Sequence, residues 1–276
     1  MTDSAPTVTL PGGTELPAIG QGTWYMGDDP DRRAEEVAAL RAGVEAGSTV
    51  VDTAEMYGGG RSESLVGEAI APVRDQVFLV DKVLPMNASR RGTVEACERS
   101  LRALGTDHID LYLLHWPGSH PLPETLEAFE ELIERDLIGT WGVSNFDPDD
   151  LAGLPSPPVV NQVLYNPSRR GVEVDLLPRH EHERILTMAY SPIEQGRLLE
   201  DPQLRAVAED LGASVAQVLI AWAIREGNVL AIPKAASADH AEQNAAAGDL
   251  RLTEAHLDAI DSAFPRPAHP VPLEIL

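Results

Sequence analysis

The sequence predicts an α/β chain closed into a (β/α)8 TIM barrel. Three observations lead there. Short β-rich apolar runs alternate with amphipathic helical stretches, the runs number eight, and 276 residues at 43% hydrophobic composition can bury one substantial core. Alternating strands and helices imply parallel strands joined by crossovers, and at this length a closed barrel is the economical arrangement. An open doubly wound sheet is the alternative, but no glycine-rich dinucleotide fingerprint follows an early strand.

Ahead of the first run, TVTLPGGTELPAI reads as a hairpin with a Pro-Gly-Gly turn, placed to close one barrel end. The eight runs are PAIGQGTW, STVVDTA, QVFLVDKV, IDLYLLHW, IGTWGVSN, PVVNQVLYN, ILTMAYSP and NVLAIPKA. Helices are expected over 31–47, 62–73, 90–105, 123–136 and, as one long stretch, 202–227, each with apolar residues three and four apart. The units after GVSNF and after NQVLYN carry weaker helical patterns. TEAHLDAIDSAF adds a terminal helix, followed by the proline-rich tail PRPAHPVPLEIL. No linker divides the chain, so one domain over 1–276 is expected.

A balance of 21 basic against 44 acidic residues leaves a net charge of −23, which opposes approach to nucleic acid or an anionic membrane. Acid-rich, lysine-poor composition is also that of proteins from salt-accumulating halophiles, so a salt requirement is expected. The start, MTDSAPTVTL, has neither a basic region nor an apolar core, and the longest strongly apolar stretch, VLIAWAI, is far too short to span a bilayer. A soluble, cytoplasmic, monomeric protein is expected. The lone Cys97 reads as a small buried side chain rather than a reactive thiol. His180 and His182 of RHEHER lack a third ligand and read as surface residues, and no metal is expected. The glycosylation acceptor at Asn87 carries no weight in an intracellular protein.

In a barrel of this kind the chemistry sits where the strands end. Asp52 ends the second run with Tyr57 in the loop beyond, Lys82 ends the third, and His115 the fourth. Three neighbouring strands thus deliver an acid, a base and an imidazole to one rim. Lys82 and Lys234 are the only lysines, and both end apolar runs rather than lying on polar helix faces. Trp24, Met56 and Trp116 follow strand ends and are candidates for an apolar substrate pocket.

DTAEMYGGGRSESLVGEAI, DKV, DLYLLHWP, WGVSNF, NQVLYNP, AYSP and AIPKA, in that order over nearly the whole chain, resemble the successive signatures of the aldo-keto reductases. The likeness is greatest to small prokaryotic reductases of the methylglyoxal and 2,5-diketogluconate type. It implies reduction of aldehydes and ketones with NADPH, or NADH, held at the barrel mouth, and it places the catalytic group on Asp52, Tyr57, Lys82 and His115. It also implies that Ser144, Asn145 and Gln162 hold the nicotinamide carboxamide, that Tyr190 stacks on the ring, that Lys234 meets the 2'-phosphate and that Asn244 touches adenine. Ala235 and His240 stand where many relatives have Ser and Arg, which loosens the NADP preference and leaves His240 to contact adenine or phosphate. Asp81 stands where relatives usually have Ser or Thr, and an extra carboxylate there is expected to raise the pKa of Tyr57.

Elementary electrostatics supports those roles. A phenol with a pKa of about 10 protonates a nascent alkoxide better as its acidity rises toward neutrality. An ammonium about 4 Å away contributes about 1 kcal/mol in water but about 4 kcal/mol at an effective dielectric near 20, so Lys82 must be partly desolvated. Desolvation would neutralise it unless a carboxylate answers. Asp81 points to the other face of its strand, which leaves Asp52 as the counter-ion. Tyr57 is then the general acid and His115 the guide for the carbonyl. A nicotinamide-binding regulatory subunit with little turnover is the alternative, and a Schiff-base aldolase through Lys82 a third reading.

Overall fold

The computed structural model describes residues 5–276, so the first four residues of the stretch read as lacking a leader lie outside it. The hairpin forms from β1 (Thr7–Thr9) and β2 (Glu15–Pro17), with Val8 opposite Leu16 and both side chains in the core. It runs directly into the first barrel strand.

Eight parallel strands follow in chain order: β3 (Gln21–Gly22), β4 (Val50–Asp52), β5 (Phe78–Val83), β6 (Ile109–Leu114), β7 (Ile138–Ser144), β8 (Val160–Leu164), β9 (Leu186–Tyr190) and β10 (Val229–Ile232). Each lies beside its neighbour in sequence. Both faces of β5 and β6 are buried, as continuous apolar runs in a parallel sheet demand. The seam between β10 and β3 is closed by Gly20 N–H donating to the Ala231 carbonyl at 2.8 Å and Gly22 N–H to that of Pro233 at 3.1 Å. Gly22 must be glycine for this approach, since a Cβ there would sit 2.7 Å from the Ile232 oxygen.

Around the barrel run α1 (Arg33–Glu45), α2 (Arg61–Ile70), α3 (Arg90–Leu104), α4 (Leu122–Glu134), α5 (Pro148–Ala152), α6 (Leu176–Glu183), α7 (Pro202–Leu211), α8 (Val215–Ala223), α9 (Ala238–Ala246) and α10 (Glu254–Ala263). The weak helical patterns yield α5 and α6, of five and eight residues. The single helix expected over 202–227 is two helices bent by 91°. Gly212 ends α7 in the left-handed conformation, and Ser214 with Gln217 forms a capping box that starts α8. Among the described residues no single helix is long and apolar enough to cross a membrane.

Two histidine readings part company. His182 is exposed, but His180 is fully buried, its ring bridging the Asn161 amide at 3.1 Å and the Thr187 hydroxyl at 2.8 Å. The reading of His180 as a surface residue is therefore wrong, because its polar partners lie on β8 and β9, 19 residues before it and 7 after, outside its own helix. Cys97 is buried, and burial pushes its thiol up to about 12. Arg170 fastens the end of α10 through Asp261 at 2.6 Å and the Phe264 carbonyl just beyond it at 2.8 Å, and Arg169 reaches Glu274 of the tail at 2.5 Å. The tail is thereby led to the barrel mouth.

Candidate active site

Because β4, β5 and β6 are adjacent and in register, the polar groups at their ends converge. Lys82 and Asp52 are buried, and the ammonium reaches Asp52 Oδ2 at 2.7 Å and the Thr53 carbonyl at 2.6 Å. Its third neighbour is the Tyr57 hydroxyl at 3.5 Å, and Lys82 Nζ lies 5.0 Å from the centroid of that ring. His115 meets the Tyr57 ring edge-on, with centroids 5.9 Å apart. All four sequence candidates for catalysis therefore share one place.

Charge in this cluster is set by burial against pairing. Burial alone would discharge Lys82, but Asp52 and then Tyr57 outweigh it and the ammonium is held above its ordinary range. Burial pushes Asp52 up, opposed by Lys82 and by bonds from Lys82 and Gln162. Tyr57 is likewise pushed up by burial, against the pull of Lys82, contrary to the expectation that a desolvated lysine makes the phenol more acidic. The difference lies first in burial of the phenol itself, and then in Asp52, whose charge offsets part of the ammonium's field there. In this arrangement Tyr57 is held fully protonated at neutral pH, which is the form a proton donor needs. Burial and the charge of Lys82 push His115 down to about 2, so its imidazole is neutral, and its buried Nδ1 has no hydrogen-bonding partner.

The residues expected to hold a nicotinamide form a connected rim beside this cluster. Ser144 Oγ donates to the Gln162 carbonyl at 3.0 Å, while Gln162 Nε2 donates to Asp52 Oδ1 at 2.7 Å. Asn145, at the left-handed φ of 57°, donates to the His115 carbonyl at 3.1 Å and accepts from the Tyr190 hydroxyl at 3.0 Å.

Two cavities meet at Tyr57. One, of about 420 Å³, runs along Gly22, Tyr190, Ser191 and Gly196 to the half-buried Lys234. The other, of about 280 Å³, is walled by Trp24, Met56, His115 and Trp116, and closed by Ile275 and Leu276 of the tail. The three expected pocket residues are thus gathered in the second cavity. His240 and Asn244 border neither; both lie on α9, His240 exposed in its first turn and Asn244 buried. Sequence reasoning missed the loop at 191–196, where Ser191, Glu194 and Gln195 all take positive φ, and missed Tyr25, which stacks on Trp24 at 4.6 Å. Gly196 was the one local signal of that loop's unusual path.

Comparison with known proteins agrees with this geometry. The Aldo/keto reductase family profile matches residues 18–264. The chain is 47% identical to the methylglyoxal reductase YeaE of Escherichia coli (strain K12), over 98% of both proteins. It is 32% identical to the oxidoreductase YtbE of Bacillus subtilis (strain 168), over 92% of this chain and 91% of that protein. A crystal structure of an aldo/keto reductase from Klebsiella pneumoniae, in complex with NADP and acetate, superposes with a TM-score of 0.96 at 46% identity, covering 98% of this chain and 99% of that one. The eight-stranded barrel, the buried lysine with its carboxylate and phenol, and these likenesses lead to one statement: the chain belongs to the aldo/keto reductase family.

Proposed function

We propose that the chain, working as a single cytoplasmic barrel domain, uses NADPH to reduce small dicarbonyls such as methylglyoxal, aldoses or aromatic aldehydes to alcohols. The observation that carries this reading is the junction of the two cavities at Tyr57, with the Lys82–Asp52 pair sealed beneath it. The larger groove fits a nicotinamide cofactor: it has a flat ring in Tyr190, close backbone at Gly22, and a cation at Lys234 in a chain otherwise short of lysine. Ser144, Asn145 and Gln162 would hold the carboxamide, Tyr190 would stack on the ring, Lys234 would meet the 2'-phosphate, and α9 would bring Asn244 and His240 toward the adenine end.

Reduced nicotinamide, when bound, supplies the hydride to the carbonyl carbon. The chain's own residues do the remainder. Trp24, Met56 and Trp116 exclude water from the smaller cavity, and neutral His115 steers the carbonyl oxygen toward Tyr57. Tyr57 gives its proton to the oxygen as negative charge grows there, and Lys82 stabilises the phenolate left behind. Lys82 is fully protonated in its pair with Asp52, which disfavours the Schiff-base reading, since that needs a free amine.

The test is NADPH oxidation with methylglyoxal and with an aromatic aldehyde. Tyr57→Phe is expected to lower kcat by about 100- to 10,000-fold while leaving cofactor affinity unchanged. Wild-type turnover as low as that of the variant would favour the regulatory-subunit reading instead.

A further inference from the structure

On the helix side of β5 lies a second set of ionisable groups that the reaction above does not use. Asp81 precedes Lys82, so strand alternation turns its side chain away from the barrel interior and toward α2 and α3. There it faces Glu63 of α2, with the Ser100 hydroxyl of α3 beside both carboxyls. Asp81 is 0% exposed and Glu63 only 3%. Neither Asp81 oxygen has a hydrogen-bonding partner, and the same is true of Glu63 Oε1, Ser100 Oγ and Tyr112 OH.

Two facing carboxylates are both acceptors and cannot bond to each other; one added proton turns one of them into a donor. For buried carboxylates whose only nearby donors, the Ser100 hydroxyl and the Lys82 backbone N–H, make no well-formed bond, the charged form is costlier than the protonated one, so this proton is taken up. The groups facing Asp81 are Glu63 on α2, Cys97 and Ser100 on α3, Tyr112 on β6 and Lys82 on its own strand. Glu63 faces Ser100, Glu55 and Arg99 in addition. Burial and the charge of Glu63 push Asp81 well above the carboxylate range, whereas Glu63 is raised less, by burial and by the charge of Glu55, with Ser100, Asp81 and Arg99 opposing. The larger rise at Asp81 favours the proton there and the negative charge on Glu63.

We propose that Asp81 is a positioning residue for the reduction: at neutral pH it shares one proton with Glu63, and the resulting bond fastens β5 to α2 and fixes the backbone from which Lys82 reaches Tyr57. The shared proton also keeps a carboxylate away from Lys82, where it would make the phenol less acidic. The inference rests on Lys82 as the activator of Tyr57. Its pH dependence has a definite sign. The folded-state pKa of Asp81 lies above the unfolded value of about 3.9, so the native state binds more protons than the unfolded chain. The stabilisation is complete below that value and is lost as pH rises through the folded pKa.

Infrared difference spectra of protein carrying carbon-13 in its aspartate carboxyls test the proton directly. A protonated-acid carbonyl band that shifts with the label at neutral pH, and is missing in Asp81→Asn, is expected. Asp81→Asn keeps a donor to Glu63 and should retain kcat within about twofold, whereas Asp81→Leu should lose about tenfold or more in kcat with KM unchanged. As pH rises above the unfolded value of about 3.9 and through the raised folded pKa, the parent should lose stability relative to Asp81→Asn. Absence of the labelled band, or a constant stability difference across that range, overturns the shared proton. A band and a stability slope combined with full kcat in Asp81→Leu overturn the positioning role. Failure of the Lys82 reading would show separately, as full kcat in Lys82→Met, and failure of Tyr57 as proton donor as full kcat in Tyr57→Phe.

Discussion

Taking away one member of the Lys82–Asp52 pair leaves the other charged in a place no water reaches, their side chains being only 0% and 2% exposed. Such a loss costs about 3–5 kcal/mol, far more than the 0–1 kcal/mol of a surface pair. Denaturant unfolding should therefore show Asp52→Leu and Lys82→Met each strongly destabilised, and the double variant less destabilised than the sum of the two. Additive losses would mean the pair is not buried as described. The histidines have the opposite sign to Asp81. Burial holds His115 down to about 2 and His180 to about 3, below the unfolded value of about 6.5, so the native state binds fewer protons. Stability should fall as pH drops below about 6.5, by about 1.4 kcal/mol per pH unit for each such histidine. His180→Gln, which keeps polar contacts to Asn161 and Thr187, should flatten that acid slope by the share of one histidine. The catalytic residues were legible because each is a polar group closing an apolar run, whereas the partners of His180 lie at positions no local pattern connects to it.

At the scale of elements, the instructive case is the stretch 202–227. Its apolar spacing is helical throughout, so periodicity alone reads one helix. The break comes from a single backbone conformation, Gly212 at φ 62°, reinforced by the Ser214 cap. Gly212→Ala forces a Cβ into the left-handed region and should cost about 1–2 kcal/mol. No steric clash adds to this, because nothing lies within 4 Å of the added carbon. Ser214→Ala should cost about 0.5–2 kcal/mol through the lost cap. Thermal unfolding of the two variants checks both, and a Gly212→Ala variant as stable as the parent would show that the bend is not set there. Strand β3 illustrates the reverse difficulty: eight residues read as a strand, yet only Gln21–Gly22 are assigned, because closure onto β10 works through glycine backbone rather than side chains. The loop at 191–196 was illegible for a related reason. Three of its non-glycine residues take positive φ, and a chain accepts such strain only where the surroundings fix it, here along the wall of the larger groove.

For the molecule as a whole, 44 acidic residues against 21 basic ones leave 23 negative charges in excess. Most ion pairs, such as those of Arg90 with Glu127 and Glu131, lie at the surface and contribute little each. Self-repulsion among the unpaired carboxylates opposes the compact state and acts over the whole surface. Salt weakens both effects, since screening shortens from about 10 Å at 0.1 M to about 3 Å at 1 M, but the repulsion is the larger sum and its loss should dominate. Raising sodium chloride across that range is therefore expected to raise Tm, by about 2–4 °C for each 1 kcal/mol gained. The Lys82–Asp52 pair, out of reach of mobile ions, should keep its hold on Tyr57, so kcat should change much less than Tm. A Tm that stays flat or falls with salt would mean that the surface pairs outweigh the excess charge, and would remove the physical basis for a salt requirement.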